Sequence, residues 1–226
     1  MCSTSDAKIF RELNEDKIPV TIVPNGIDIC RNTYQFPDIS KPKQLIFCGS
    51  LDYEPNIEGL IWFLKSVWPL ILSSHPDLKL IVVGKGKPSL ALLKLLENDT
   101  SIDLVGEVTD VIPYYRQAQV AIVPLLHGSG TRLKILEAMS LGVPVISTSV
   151  GAEGIDYSKG ESVVIADTLK QFSEAVDQLF KEPLLFTGIS ERARKLVEKE
   201  YSWDVIGKEI MQKILPVIPQ KSTNKY

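Results

Sequence analysis

The stretch His127-Gly128-Ser129-Gly130-Thr131-Arg132-Leu133-Lys134-Ile135-Leu136-Glu137-Ala138-Met139-Ser140-Leu141-Gly142-Val143-Pro144-Val145-Ile146 reads as a glycine-rich loop, a helix and a strand in succession. The helix runs from Arg132 to Leu141 and is stopped by Gly142, as a residue free to turn left-handed stops helices. A strand, Val120 to Leu125, leads into the loop, and another, Val143 to Ser147, leaves the helix. The same alternation continues outward. Gln44 to Cys48 is a strand ended by Gly49-Ser50, and Leu78 to Val83 is one ended by Gly84-Lys85-Gly86. Ile102 to Val105 is a strand ended by Gly106, and Ser162 to Ala166 is the sixth. Between the first two, Ile57, Leu60, Ile61, Leu64, Val67, Trp68 and Ile71 recur at the three- and four-residue spacing of one buried helical face. Ser89 to Asn98 and Val111 to Ala118 are shorter helices, the second with Pro113 in its first turn. From Leu169 to about Leu215 the pattern is helical.

The strands are short, apolar and not alternating, as strands covered on both faces are. Joined by right-handed crossovers, they make an α/β fold with a doubly wound, Rossmann-like parallel sheet. Ligands of such sheets bind beyond the carboxyl ends of the strands. Gly49, Gly84, Gly86, Gly106, Gly128 and Gly130 gather at that edge, where glycine lets backbone approach a ligand closely or turn with positive φ.

With 226 residues, 44% of them hydrophobic and 23% charged, the chain fits one large globular domain. A net charge of −3 gives no reason to expect nucleic acid. Cys2, Cys30 and Cys48 are too scattered for a disulfide framework, and Cys48 in its apolar run reads as a small buried hydrophobe. The first residues are polar, with no secretory leader. No stretch reaches the roughly 18 apolar residues of a membrane span. A cytoplasmic location is therefore expected.

Chemistry concentrates in the quoted segment. A helix start offers unpaired N–H groups and a partial positive charge, and a glycine loop leading into it makes an anion site. Arg132 and Lys134 in that first turn oppose the helix dipole, by a few tenths of a kcal/mol, unless an anion is bound there. Glu137 lies six residues past Thr131, about 9 Å along a helix. That offset suits a nucleotide with phosphates on the loop and ribose hydroxyls on the carboxylate. The competing reading of Glu137 is a solvated face paired with Lys134 at i,i+3. A Walker loop is absent, and Gly84-Lys85-Gly86 lacks the third glycine of a dinucleotide fingerprint because Ser89 holds its place. The only histidines are His75, read as structural, and His127, which borders the cleft; no Asp-x-Asp pair occurs. No metal is called for.

Gly128 to Ile146 resembles the signature of the retaining, GT-B-fold glycosyltransferases of the large group 1 family (family 4). Ile22-Val23-Pro24-Asn25-Gly26-Ile27-Asp28 is similar to the start of that family's donor domain, and Phe47-Cys48-Gly49-Ser50-Leu51-Asp52-Tyr53-Glu54-Pro55-Asn56 to its first loop in one branch. Val82 to Gly86, Val105-Gly106-Glu107-Val108 and Gly151-Ala152-Glu153-Gly154 also match. The resemblance implies the donor-binding C-terminal half of a GT-B enzyme. Glu137 would hold the ribose, and Gly130, Thr131, Arg132 and Leu133 the diphosphate, largely through backbone N–H groups. Gly106 to Val108 would face the base; Gly49 and Ser50 would approach the diphosphate and sugar. Ser129 stands where many members carry a first glutamate, and Ser50 and Pro55 where many carry basic residues. Arg132 and Lys134 are expected to supply that missing charge. The candidate donor set is thus Gly49, Ser50, Gly106, Val108, Ser129, Gly130, Thr131, Arg132, Leu133, Lys134 and Glu137, with no catalytic side chain assigned.

Residues 1–19 read as the junction from a missing N-terminal domain, 20–215 as the nucleotide-sugar-binding domain, and 216–226 as a polar, frayed tail. The donor is a nucleoside diphosphate sugar and there is no other cofactor. The partner is an acceptor-binding domain in cis or in trans; a membrane would be reached only through it. Transfer by this chain alone is expected to be weak or absent. Trp203 resembles a family landmark, with a core role expected. Three rivals stand beside this reading: half of a nucleotide-sugar 2-epimerase, a non-catalytic binding subunit, and a flavodoxin-like regulatory module that would bind no nucleotide.

Overall fold

A computed structural model describes residues 4–15, 17–18, 20–36, 38, 40, 42–128, 132–157 and 161–214. A helix, α1 (Thr4–Leu13), precedes the first strand, β1 (Gln44–Cys48). Then follow α2 (Glu54–Trp62), α3 (Trp68–Ser74), β2 (Lys79–Val83), α4 (Leu90–Glu97), β3 (Ile102–Gly106), α5 (Ile112–Tyr115) and β4 (Val120–Val123). The second half holds α6 (Leu133–Leu141), β5 (Val145–Ser147), β6 (Val164–Ile165), α7 (Leu169–Lys181), α8 (Pro183–Leu196) and α9 (Trp203–Ile214).

The six strands form one sheet in the order β3-β2-β1-β4-β5-β6, every pairing parallel. Leu45 and Phe47 of β1 pack to one face, with Leu60, Phe63, Trp68, Leu92 and Phe172. Ile46 packs to the other, with Leu136, Met139, Ala193 and Val197. Helices α2, α3, α4 and α7 therefore cover one face, and α5, α6 and part of α8 the other. Burial on both sides is why the strands carry no polar alternation. Strand order reverses between β1 and β4, so a crevice opens between their carboxyl ends.

Local signals set the helix ends. Ser89 caps α4 by accepting from the Leu92 N–H. Thr168 and Gln171 form a reciprocal capping box at α7. Gly142 ends α6 with φ of 86°, and the N–H groups of Gly142 and Val143 return to the carbonyls of Met139 and Ala138. The helix itself starts at Leu133, one residue later than the sequence pattern places it, with Arg132 at the N-cap.

Other expectations need correction. Trp203 is 52% exposed, because its ring lies across Gly26 at the surface instead of entering the core. It does so where Ile27 and Ser202 form a parallel bridge that ties α9 to the segment after Asn25. The run Glu54–Ser74 is one helix of 21 residues, with a π-helical turn at Phe63–Val67. An 18-residue window within it has a mean hydropathy of 1.2, long and apolar enough for a membrane span by length and composition alone. Its apolar side chains, Leu60, Phe63, Leu64, Val67, Trp68 and Ile71, are spent on the sheet. Residues 1–3 and 215–226 lie outside the described residues, and with them the whole of the expected 216–226 tail.

The loops after β1 and β2 touch through backbone. A Cβ on Gly84 would overlap the carbonyl oxygen of Gly49, which a backbone cannot yield cheaply. Gly84→Ala is therefore expected to destabilise the fold by about 2 kcal/mol, read as a lower urea midpoint at unchanged m-value.

Candidate functional site

The crevice between the carboxyl ends of β1 and β4 has the Gly49–Ser50 loop on one side and Arg132 with the start of α6 on the other. Ser129, Gly130 and Thr131 of the glycine loop lie outside the described residues. The remaining candidates lie among the described residues. Arg132 is buried, its guanidinium 3.0 Å from where a Gly128 Cβ would stand, with Pro55 on the same spot at 3.6 Å. Its side chain makes no cap bond to the helix. Leu133 is exposed, at the first position of α6.

Lys134 is half-buried and turns back across the crevice. Its ammonium donates to Asn56 Oδ1 at 2.7 Å and lies 5.0 Å from the Phe47 ring centroid. The Asn56 amide in turn donates to the Ser50 carbonyl at 2.9 Å. Glycine at 49 is what makes room: an added Cβ would stand 2.6 Å from Lys134 Nζ and 2.8 Å from Asn56 Nδ2. Burial pulls the Lys134 pKa down to about 8, helped by Arg132 and opposed by Cys48 and Glu137. Because the nearest colliding atom, Lys134 Nζ, ends a flexible side chain, Gly49→Ala should fold, but with the ammonium displaced. The expected outcome is a Lys134 pKa raised from about 8 towards its ordinary 10.5, read by NMR titration, with thermal stability nearly unchanged.

Glu137 is half-buried one turn further on, and among the described residues its carboxylate makes no hydrogen bond or ion pair. The solvated Lys134–Glu137 pair is thus not formed. Burial raises the Glu137 pKa; Arg31 and Lys134 pull it down, and Asp110 pushes it up. Asp110 belongs to the loop after β3 and pairs with Arg31 at 3.3 Å. That loop begins at Gly106, whose φ of 79° is left-handed and whose missing Cβ faces open space, and Val108 packs inward against the second core face. Gly49, Ser50, Arg132 and Lys134 therefore gather at one end of the crevice, and Glu137 with the 106–110 loop at the other.

Sequence reasoning missed Asn56, Arg31 and Asp110. Asn56 sits in the quoted loop after β1, three residues past Tyr53, the N-cap of α2, and its polarity inside an otherwise apolar helical face was the available signal. Cys48, at the end of β1, is half-buried beside the Tyr115 hydroxyl; burial pushes its pKa up to about 11, which keeps it an inert thiol. His127 pairs with Glu58 of α2 at 2.6 Å, at the outer rim. His75 faces Asp177 at 3.2 Å and stacks edge-on to Phe180, joining the end of α3 to α7.

Comparison with known proteins agrees with this architecture. The family described as "Glycosyl transferases group 1" matches residues 42–182, more than half of the chain. The chain belongs to that glycosyltransferase family, and its structural neighbours are GT-B glycosyltransferases. It is 31% identical over 163 residues to an uncharacterized 44.6 kDa protein in the cps region of Klebsiella pneumoniae, covering 70% of this chain and 42% of that protein. It is 27% identical over 208 residues to a GDP-mannose-dependent monoacylated alpha-(1-6)-phosphatidylinositol monomannoside mannosyltransferase of Corynebacterium glutamicum, covering 83% and 54%. The fold matches the pneumococcal O-GlcNAc transferase GtfA, solved in complex with UDP and GlcNAc, with a TM-score of 0.71 at 20% identity, over 96% of this chain and 44% of that one. The chain thus spans about half the length of the curated relatives it matches.

Proposed function

We propose that this chain is the donor-binding half of a glycosyltransferase of the hexosyltransferase type. It holds a nucleoside diphosphate sugar for transfer, with retention of configuration, to an acceptor carried by an N-terminal domain in cis or in trans. The observation that carries the reading is the division of charge along α6. A lysine ammonium stands at one end of the switch-point crevice, and one turn later along α6 a carboxylate that has no partner among the described residues. A solved relative that holds UDP and GlcNAc supports the ligand class.

In this reading the diphosphate lies over the start of α6. The helix-start amides and Lys134, with Arg132 behind Gly128, stabilise the charge that grows on the leaving phosphate. Glu137 accepts hydrogen bonds from the ribose hydroxyls, the 106–110 loop faces the base, and Gly49 lets the sugar approach the sheet edge. Protein cations take the place of a metal, in a cytoplasmic enzyme. Titration calorimetry with UDP, GDP and ADP tests this. One of the three should bind, with the same affinity in the presence of a chelator; binding of none contradicts the reading, and loss on chelation contradicts its metal-free form.

A further inference from the structure

We propose that Asn56 is a positioning residue that couples the loop after β1 to α6 and aims the Lys134 ammonium into the crevice between them. The inference rests on the donor-binding reading above and assigns a device within that site.

Asn56 is 4% exposed and uses both ends of its carboxamide. Its oxygen accepts from Lys134 Nζ at 2.7 Å, and its nitrogen donates to the Ser50 carbonyl at 2.9 Å. The orientation is fixed by chemistry, because an ammonium only donates and a carbonyl only accepts. The amide therefore works as a coupler: it clamps the loop at Ser50 and holds the cation from α6 against that loop. Phe47 closes a second side of the ammonium, and Gly49 keeps the space clear. Among the described residues the ammonium donates one hydrogen bond, to Asn56, so two N–H donors remain for a ligand.

Asparagine suits this task and its neighbours in chemistry do not. An aspartate would accept from the ammonium but cancel its charge towards a diphosphate, and would set an oxygen without a proton against the Ser50 carbonyl. A leucine would fill the space but leave the ammonium without an acceptor in a half-buried site. The other titratable groups around Lys134 are Cys48 on β1, Tyr115 on α5, and Arg132 and Glu137 at either end of the first turns of α6.

The test uses Asn56→Asp and Asn56→Leu in the full chain. Binding of whichever of UDP, GDP and ADP binds the parent best is measured by calorimetry from about pH 6.5 to about pH 9.5. The Lys134 titration is followed in ligand-free protein by NMR of ¹³C-dimethylated lysines. Each variant should weaken binding at neutral pH by about tenfold. Their alkaline limbs should move in opposite directions, up in Asn56→Asp, where a carboxylate holds the proton on, and down in Asn56→Leu. A merely structural role would move both alike or neither, and either result overturns the proposal. If Asn56→Leu fails to fold, the isosteric Asn56→Asp alone decides, by whether its limb and the Lys134 resonance move up. If the parent binds no nucleotide, the donor-binding reading fails; the ligand-free Lys134 titration still decides the coupling, and an unmoved resonance overturns it.

Discussion

Replacing Glu137 by glutamine is expected to weaken nucleoside diphosphate binding by one to two orders of magnitude while leaving the unliganded protein at least as stable as the parent. The first part follows from charge-assisted hydrogen bonds to two ribose hydroxyls, each about 1.5–3 kcal/mol and only partly kept by a neutral amide. The second follows from linkage. Burial raises the Glu137 pKa above its ordinary 4.5 in the folded chain. The folded state then binds the proton more tightly than the unfolded state, so stability falls as pH rises from the ordinary value through the raised one. At neutral pH the ionised carboxylate opposes folding until a ligand satisfies it, and glutamine removes that opposition. Chemical denaturation of both forms at acid and neutral pH, beside calorimetry, reads the two effects. A variant that loses stability at neutral pH but keeps its affinity would show Glu137 to be a packing residue.

Lys134→Met should lower affinity for the nucleoside diphosphate by about fiftyfold and leave affinity for the bare nucleoside unchanged, since the lost group is a charge-assisted donor to phosphate. The parent should also bind the diphosphate less tightly as pH rises through about 8, where the ammonium loses its proton. The stability sign is opposite to the affinity sign. A lysine lowered from 10.5 to about 8 leaves the unfolded chain holding more protons in that window, so the unliganded protein gains stability as pH rises across it. Both slopes should flatten in Lys134→Met. Arg132→Ala should add a further loss of affinity; if neither substitution changes affinity, the cations do not replace those lacking at Ser50 and Pro55.

Much of the fold is legible because two-sided burial writes itself as short apolar runs. Gln44–Cys48 is predicted to the residue, and the other strands within a few residues at each end. What the pattern does not carry is relief within an element. The π-turn at Phe63–Val67 keeps the 3.6-residue rhythm on paper while shifting the face in space. Trp203 shows the same limit from the other side, since an aromatic in a helical run looks like core until a glycine, Gly26, is seen beneath its ring. In the site, the segment around α6 is legible as a glycine loop, helix and strand beside the switch point. The direction of Lys134 is not read from spacing, which couples it with Glu137 three residues on. Helical side chains lean towards the amino end, and that rule favours the Gly49 loop, where the ammonium is found. Asn56 and Asp110 escape because each acts across the sheet edge, between segments far apart in the chain.

The most direct measurement is a crystal structure of the chain with whichever nucleoside diphosphate binds best. The prediction is that phosphate oxygens lie within about 3.2 Å of the amides at the start of α6 and of Lys134 Nζ, with ribose hydroxyls on the Glu137 carboxylate. A nucleotide seated elsewhere on the sheet edge, or a Glu137 that turns to bulk water while the ligand is bound, would contradict it.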